Sequence, residues 1–269
     1  MLPIEFEKVS YVYDKKTPFE KEAISDISFK IEDGESLSIL GKTGSGKSTI
    51  LQLMNGIIRP TTGKVIVDGM VTTDKDKIFE IRKRVGLVFQ NPEHQFFADT
   101  VYQEIAFGPK NFGMDADAAV KEAIRIVGLR WDILSRSPFA LSGGEKRKVA
   151  IASIIACDPK YLIFDEPTSS LDPSSAKNFF EILKTLKSNG KSVIIVTHSV
   201  EEAIYNFDRA LVVFNGKIVF DGNVKSFLEE DLTMYGLLPP PMVRLRENIK
   251  KACGNLRIED LIRQNDITI

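Results

Sequence analysis

Residues 41–48 read Gly-Lys-Thr-Gly-Ser-Gly-Lys-Ser, the residue types and spacing of a phosphate-binding loop. Glycines let the backbone turn tightly, so that successive amide groups point at phosphate oxygens. Lys47 would reach the β- and γ-phosphates of a nucleoside triphosphate, and the Ser48 hydroxyl would be a ligand of Mg²⁺. The predicted nucleotide contacts of this loop are Gly41, Lys42, Thr43, Gly44, Ser45, Gly46, Lys47, Ser48 and Thr49.

A second candidate is the run Tyr161-Leu162-Ile163-Phe164-Asp165-Glu166, in which four apolar residues precede two acids. Ligands of open parallel sheets bind at the carboxyl ends of strands, where these acids would emerge. We expect Asp165 to hold Mg²⁺ and Glu166 to orient or deprotonate an attacking water. By itself an Asp-Glu pair after a strand is more often structural, but the phosphate loop favours the chemical interpretation.

A third candidate is Leu141-Ser142-Gly143-Gly144-Glu145 at the start of a predicted helix. Ser142 can cap the helix, and the two glycines expose amide groups, which together suit an anion. One chain would then have two phosphate-binding helix starts about a hundred residues apart. That arrangement makes sense if the two starts belong to different active sites.

These motifs need elements to position them. Alternating apolar and polar residues predict antiparallel strands at 4–13 and 27–31, each with one wet face. Continuously apolar runs predict strands of a parallel sheet covered on both faces. Further predicted strands cover 36–40, 64–67, 85–89, 161–164, 192–196 and 210–214, and predicted helices cover 47–57, 115–127, 144–156, 173–188 and 200–205. Strands that alternate with helices indicate an α/β core.

The chain also has a predicted internal organisation. Residues 91–157 have helical patterns and no convincing strand, which indicates a helical subdomain inserted into the sheet domain. Asn215-Gly216 predicts a hairpin turn. Prolines 239–241 interrupt the tail after residue 232, and two short amphipathic stretches follow them.

Composition limits the classes of function. The formal net charge is −1, so no global field attracts nucleic acid or an anionic membrane. The sequence has no run of about 18 apolar residues, so it predicts no membrane-spanning helix. The N-terminus lacks the pattern of a signal peptide. Cys157 and Cys253 have no metal-site spacing, which is typical of free thiols in a reducing compartment. Action at a membrane would therefore go through a partner.

The run Leu141–Glu145 resembles the signature of ATP-binding cassette (ABC) ATPases, and the other motifs of that family follow in order. Gln90 matches the Q-loop, and residues 169–172, which include Asp172, match the D-loop. His198 matches the switch histidine, and Tyr13 matches the aromatic residue that stacks on adenine, with Tyr11 as the alternative. The resemblance covers roughly residues 3–228, and Glu145 stands where many members have glutamine.

The resemblance implies an α/β P-loop NTPase fold: a mixed core sheet with helices, an antiparallel β subdomain, an inserted helical subdomain at about 91–157 and a C-terminal helical extension. The ATPase domain would cover 1–231 and the extension, expected to contribute to dimerisation, 232–269. The family binds ATP and Mg²⁺ between two subunits in a head-to-tail dimer. Ser142, Gly143, Gly144 and Glu145 would then act in trans on ATP bound by the partner, whether the dimer is homomeric or heteromeric.

The resemblance also implies roles within the ATP-binding half. Gln90 would contact Mg²⁺ together with Ser48 and Asp165, and it would sense the γ-phosphate. His198 would hydrogen-bond the γ-phosphate beside the catalytic Glu166. Asp172 is assigned to the D-loop, and His94, the only other histidine, would have a structural role or contact a partner.

Residues 91–101 and 104–113 are similar to the A-component ATPases of energy-coupling factor (ECF) transporters, including the cobalt and nickel branch. That family pairs two ATPases with a transmembrane T-component and a substrate-binding S-component that selects a vitamin or metal. The implied location is peripheral, at the cytoplasmic face of the membrane, with no nucleic-acid partner. Phe96 and Phe97, expected to be exposed beside the Q-loop, would receive a helix of the membrane partner or pack within the helical subdomain.

Two other functions compete with an ECF importer. The chain could serve a conventional ABC importer or exporter with a different membrane partner. A soluble ABC protein acting on DNA or ribosomes is disfavoured, because the sequence has one cassette and no sustained heptads.

Overall fold

The computed structural model describes residues 2–90, 95–169, 171–241 and 243–245. Within these ranges the chain forms two sheets and a set of α-helices, of which eight lie between residues 47 and 227. The strands are β1 Ile4–Tyr13, β2 Lys21–Ile31, β3 Ser36–Leu40, β4 Thr62–Val67, β5 Met70–Val71, β6 Val85–Val88, β7 Tyr161–Asp165, β8 Ser192–Thr197, β9 Arg209–Phe214 and β10 Lys217–Asn223. The helices are α1 Lys47–Met54, α2 Ile78–Arg84, α3 Val101–Asn111, α4 Ala116–Val127, α5 Gly143–Ile155, α6 Pro173–Ser188, α7 Val200–Asn206 and α8 Val224–Phe227.

The larger sheet has six strands in the order β10-β9-β3-β8-β7-β6. Its neighbours from β9 to β6 are parallel, and β10 pairs with β9 in the antiparallel sense. The loops after β3, β8, β7 and β6 therefore leave the same edge of the sheet side by side. These four loops contain the phosphate loop, His198, the Asp165-Glu166 pair and Gln90.

Both faces of this sheet are covered, which explains its continuously apolar strands. In β7, Leu162 and Phe164 pack into one core with the helices α3 to α6, while Tyr161 and Ile163 pack into a second core. The second core contains α1 and the smaller sheet. Successive side chains of a strand point to opposite faces of the sheet, so β7 contributes to two cores, one on each face.

The smaller sheet has the order β2-β1-β4-β5 and is antiparallel throughout. Strand β2 begins at Lys21, six residues before the start predicted from the sequence. Val9 pairs with Ile27 but Tyr11 pairs with Ile24, so β2 contains one extra residue at this point. Asp26 has φ 48°, and this bulge shifts the apolar alternation and hides the first half of β2 from a period-two pattern.

The helices α3, α4 and α5 pack against one another and share a core with α6. These three helices lie between residues 101 and 155, within the range of the predicted helical insertion. Phe96 is only 9% exposed in this core, whereas Phe97 is 60% exposed. The prediction that both rings are exposed was therefore wrong for Phe96, because it fills the core beneath α3 and α5.

The mixed core sheet and the antiparallel sheet agree with the predicted α/β class. Among the differences from the sequence prediction, α1 ends at Met54 rather than at residue 57, and α2 was not predicted at all. After α8, Leu232 and Leu237 pack into a third core with β9 and α7. The predicted C-terminal extension falls mostly outside the described residues, as do His94 and Cys253. None of the helices in the described ranges has the length and hydropathy needed to cross a membrane.

Candidate active site

The phosphate loop joins β3 to α1 and depends on glycine for its shape. Gly46, the N-cap of α1, has φ 111°, a conformation that side chains rarely adopt. A Cβ added there would lie 2.6 Å from the Ala23 carbonyl oxygen and 2.8 Å from the Ile24 side chain. Because β2 packs this closely on the loop, the fold itself requires glycine at this position.

Lys47 extends back across the loop from the first turn of α1. Its side chain is buried, and Nζ donates to the carbonyl oxygens of Gly41 at 2.7 Å and Lys42 at 2.8 Å. Burial lowers the pKa of this ammonium group, while the nearby Glu166 and Asp165 carboxylates act in the opposite direction. The loop thus encloses a cation and a helix N-terminus, a combination suited to a phosphate chain.

Asp165 and Glu166 are at the carboxyl end of β7. Burial raises the pKa of the Asp165 carboxyl, and the neighbouring Ser48 hydroxyl acts in the opposite direction. Glu166 has φ 42°, and its amide donates to the Val196 carbonyl oxygen of β8 at 2.8 Å. Non-glycine residues in this conformation are uncommon and cluster at functional sites.

His198 follows β8, the strand beside β7. Its Nδ1 is 3.5 Å from Glu166 Oε2, and its ring is 60% exposed. The two side chains predicted to be catalytic are therefore neighbours, although 31 residues separate them along the chain. Their proximity follows directly from the pairing of β7 with β8.

A cavity of about 290 Å³ brings part of the phosphate loop, Asp165 and Glu166 together with residues of the smaller sheet, whereas His198 is not part of its lining. Its lining consists of Tyr13, Lys21, Ala23, Thr43, Gly44, Gly46, Lys47, Ser48, Thr49, Gln90, Asp165 and Glu166. The Tyr13 hydroxyl lies 3.1 Å from Thr49 Oγ1. Tyr11 is not part of the lining; its ring meets that of Tyr13 edge-on, with centroids 4.7 Å apart, and packs on the second core. Lys21 and Ala23 were missed in the sequence because the bulge conceals their strand.

Gln90 is exposed at the end of β6, and its Nε2 donates to Ser169 Oγ at 3.4 Å. Ser169 begins the predicted D-loop. The Q-loop and D-loop residues therefore meet on one side of the cavity. Asp172 caps α6, because its Oδ1 accepts from the amides of Ser174 and Ser175 at 2.9 and 3.1 Å.

The signature lies at a different place in the molecule. Ser142 caps α5, and Glu145 Oε2 accepts from the Ser142 amide at 3.0 Å and from its hydroxyl at 2.7 Å. These bonds lower the pKa of the Glu145 carboxyl. Gly144 and Glu145 line a second cavity, of about 380 Å³, with the end of α4 and with α6. None of the residues 142–145 lines the cavity around the phosphate loop.

Comparison with known proteins identifies the family. The ABC transporter family model matches residues 24–169. The chain is 42% identical to the energy-coupling factor transporter ATP-binding protein EcfA2 of Clostridium acetobutylicum over 258 residues, 93% of this chain and 90% of that protein. It is 45% identical to EcfA2 of Streptococcus agalactiae over 233 residues, 84% of this chain and 83% of that protein.

Solved structures agree. CbiO1 from Clostridium perfringens, described as part of the ABC transporter complex CbiONQ, aligns with a TM-score of 0.76 at 30% identity, over 98% of each chain. The ATP-binding cassette MJ0796, a dimer in a post-hydrolysis state bound to ADP and Pi, aligns with a TM-score of 0.74 at 28% identity, over 82% of this chain and 98% of that one. The chain therefore belongs to the ABC transporter family, as an ATP-binding and ATP-hydrolysing subunit of the energy-coupling factor type.

Proposed function

We propose that this subunit works at the cytoplasmic face of the membrane, bound to a transmembrane T-component and through it to a substrate-binding S-component. ATP binding would close a dimer of ATPases, hydrolysis would reopen it, and the motion would drive uptake of a vitamin or of cobalt or nickel ions. The names of the relatives support this assignment, since they are ATP-binding proteins of energy-coupling factor transporters. The CbiO1 neighbour is likewise described as part of a multi-subunit transporter complex.

Within the site, Lys47 and the loop amides would hold the β- and γ-phosphates, and Tyr13 would stack on adenine. Tyr13 is supported over Tyr11 by its place in the cavity lining. Ser48, Asp165 and Gln90 offer oxygen ligands that line the same cavity. Such a donor set fits Mg²⁺, which prefers one or two carboxylates together with substrate phosphates. The ion would supply charge neutralisation of the phosphate oxygens.

Glu166 is the proposed group that orients and deprotonates the attacking water. The observation that carries this role is its position: Glu166 lines the cavity of the phosphate loop, has left-handed backbone geometry, and lies 3.5 Å from His198. A base in hydrogen-bond reach of the reacting water contributes about 10² to 10⁴ to the rate. His198 would contact the γ-phosphate from the adjacent strand end.

A second cassette would complete the site. Ser142, Gly143 and Gly144 are exposed at the start of α5. None of them lines the phosphate-loop cavity of their own chain, and Gly144 borders a different cavity. In a dimer, the exposed amides of these residues would donate hydrogen bonds to ATP that is bound by the partner. The dimeric MJ0796 structure supports a partner ATPase, which could be a second copy or a related chain.

The proposed membrane contact lies beside the Q-loop. Phe97 and Phe107 are both exposed, and their rings meet edge-on with centroids 4.7 Å apart. Both rings border a cavity of about 200 Å³ between β6 and the helices α3 and α5. An aromatic pair next to an apolar cleft suits an amphipathic helix of the T-component.

The test of the catalytic assignment is Glu166→Gln in the full-length chain. Gln keeps the shape of the side chain but cannot accept the proton, so we expect the hydrolysis rate to fall by about 10²-fold or more while ATP binding persists. Phosphate release would measure turnover, and size-exclusion chromatography with ATP would detect accumulation of the closed dimer. Normal steady-state turnover in this variant would remove Glu166 from its role.

The test of the membrane assignment is affinity purification of the tagged chain from membranes, with identification of the co-purified proteins. We expect a second ATPase and a transmembrane T-component. Recovery of only ribosomal or DNA-repair proteins would contradict the importer.

A further inference from the structure

One carboxylate links the two loops that carry Glu166 and His198. Thr168 follows Glu166 by two residues, and Thr197 immediately precedes His198. The Thr168 hydroxyl donates to Glu202 Oε1 at 2.6 Å, and the Thr197 hydroxyl donates to Glu202 Oε2 at 2.9 Å. Each oxygen of Glu202 thus binds one of the two loops.

Glu202 is itself firmly placed in the first turn of α7. Its amide donates to Ser199 Oγ at 3.3 Å, and the Ser199 amide donates to Thr197 Oγ1 at 3.0 Å. These bonds close a ring from the end of β8 to the start of α7. The buried side chains of Val200 and Ala203 hold the helix on the third core. The carboxylate therefore has little freedom to follow either loop if one of them moves.

Helix capping does not account for this carboxylate. Ser199 already caps α7 with its own hydroxyl. Glu201 in the same turn supplies a second negative charge to the helix N-terminus, yet it is exposed and has no side-chain hydrogen bond or ion pair within the described residues. What distinguishes Glu202 from Glu201 is the pair of bonds to Thr168 and Thr197.

We infer that Glu202 is a positioning residue that fixes the catalytic carboxylate of Glu166 relative to the ring of His198. This inference rests on the proposed roles of those two residues. Their separation of 3.5 Å spans two strand ends, and the Glu202 carboxylate bridges the same two ends. A displacement of about 1 Å at a reacting centre can cost about 10²-fold in rate, so the bridge would affect turnover rather than ATP binding.

The experiment compares Glu202→Ala, Glu202→Gln and the matched control Glu201→Ala in the full-length chain. We expect Glu202→Ala to lower kcat by about 10- to 100-fold with the Kd for ATP changed less than about twofold. Glu202→Gln retains an oxygen acceptor and gains an amide donor for the second hydroxyl, so it should recover most of the activity. Glu201→Ala loses the same helix charge and should leave kcat unchanged. An equal loss in both alanine variants, or no loss in Glu202→Ala, would overturn the inference.

Two further measurements exclude a purely structural effect. Thr168→Val keeps the side-chain shape and the α7 cap but removes one half of the bridge; we expect kcat to fall about three- to tenfold with an unchanged melting temperature. Introduced into His198→Ala, Glu202→Ala should cost much less than in the wild-type chain, because one of the groups that it positions is gone. Fully additive losses would overturn the inference.

Glu166→Gln, measured in parallel, distinguishes failure of the positioning role of Glu202 from failure of the catalytic role of Glu166. If Glu166→Gln stops hydrolysis and Glu202→Ala does not impair it, the positioning role fails and the catalytic assignment stands. If Glu166→Gln turns over normally, the catalytic assignment fails and the inference fails with it.

Discussion

Two helix starts in this chain contain glycines suited to phosphate, and they are built differently. At the start of α1, Gly46 has a left-handed backbone, and a Cβ there would collide with Ala23 and Ile24. At the start of α5, Gly143 and Gly144 have no neighbour within 4 Å of an added Cβ, and neither has a positive φ.

The difference separates two reasons for glycine. The phosphate loop needs Gly46 because the fold of its own chain leaves no room for another residue. The α5 start could accept alanine without strain in its own chain, and glycine would even weaken the helix there. A requirement for glycine at Gly143 or Gly144 would therefore come from a ligand or a partner outside the chain.

Gly46→Ala gives the largest expected effect on stability and on ATP binding. The strained backbone alone costs about 1–3 kcal/mol, and the contact with the Ala23 carbonyl adds to it. We expect ATP affinity, measured by calorimetry, to fall more than about tenfold, with a melting temperature lower by several degrees. Gly34→Ala is the matched control, because Gly34 also has a positive φ but faces open space and lies outside the cavity lining. Unchanged ATP affinity in Gly46→Ala would break the comparison.

Gly144→Ala should produce the opposite combination. Alanine favours a helix over glycine by about 0.5–1 kcal/mol, so the melting temperature should stay the same or rise slightly. ATP binding to the isolated chain should also stay the same. If the amide faces a phosphate in trans, the added methyl obstructs it, and hydrolysis should fall by about 10²-fold, as when one donor to the transition state is lost. Normal hydrolysis would contradict a role for this glycine in trans.

Glu145→Gln has the smallest expected effect. Gln can still accept the hydrogen bonds from Ser142, but it lacks the charge that favours a helix N-terminus, so stability should fall by about 0.3–1 kcal/mol at low salt. Because the folded-state pKa of Glu145 is lowered, its stabilisation is present above the ordinary value of 4.5 and is lost as the pH falls through the lowered folded-state pKa. Unfolding followed at pH 7 and at successively lower pH should therefore show a difference between the variant and wild type that is full at pH 7 and shrinks as the pH falls below 4.5.

The sequence predicted the motifs well where local spacing decides the structure. The phosphate loop, the cap at Ser142 and the acids that end β7 all depend on residues within one turn or one strand end. The alternation of apolar residues predicted β1 but missed the first half of β2, since one bulged residue at Asp26 reverses the side-chain alternation. Local pattern also could not distinguish Phe96 from Phe97: the two residues are of the same type, but Phe96 is buried and Phe97 is exposed.

The amino-acid sequence by itself determined which chemical groups this protein has: a loop for phosphate, two acids after a strand, a histidine after the next one, and a second glycine-containing helix start. Only the tertiary structure decided which of them share a cavity. The order β3-β8-β7-β6 places the phosphate loop, His198, Glu166 and Gln90 along one edge, and it brings Thr168 and Thr197 to the same carboxylate. The physical reason is that strand order results from packing both faces of the sheet over long sequence separations, which no local pattern records.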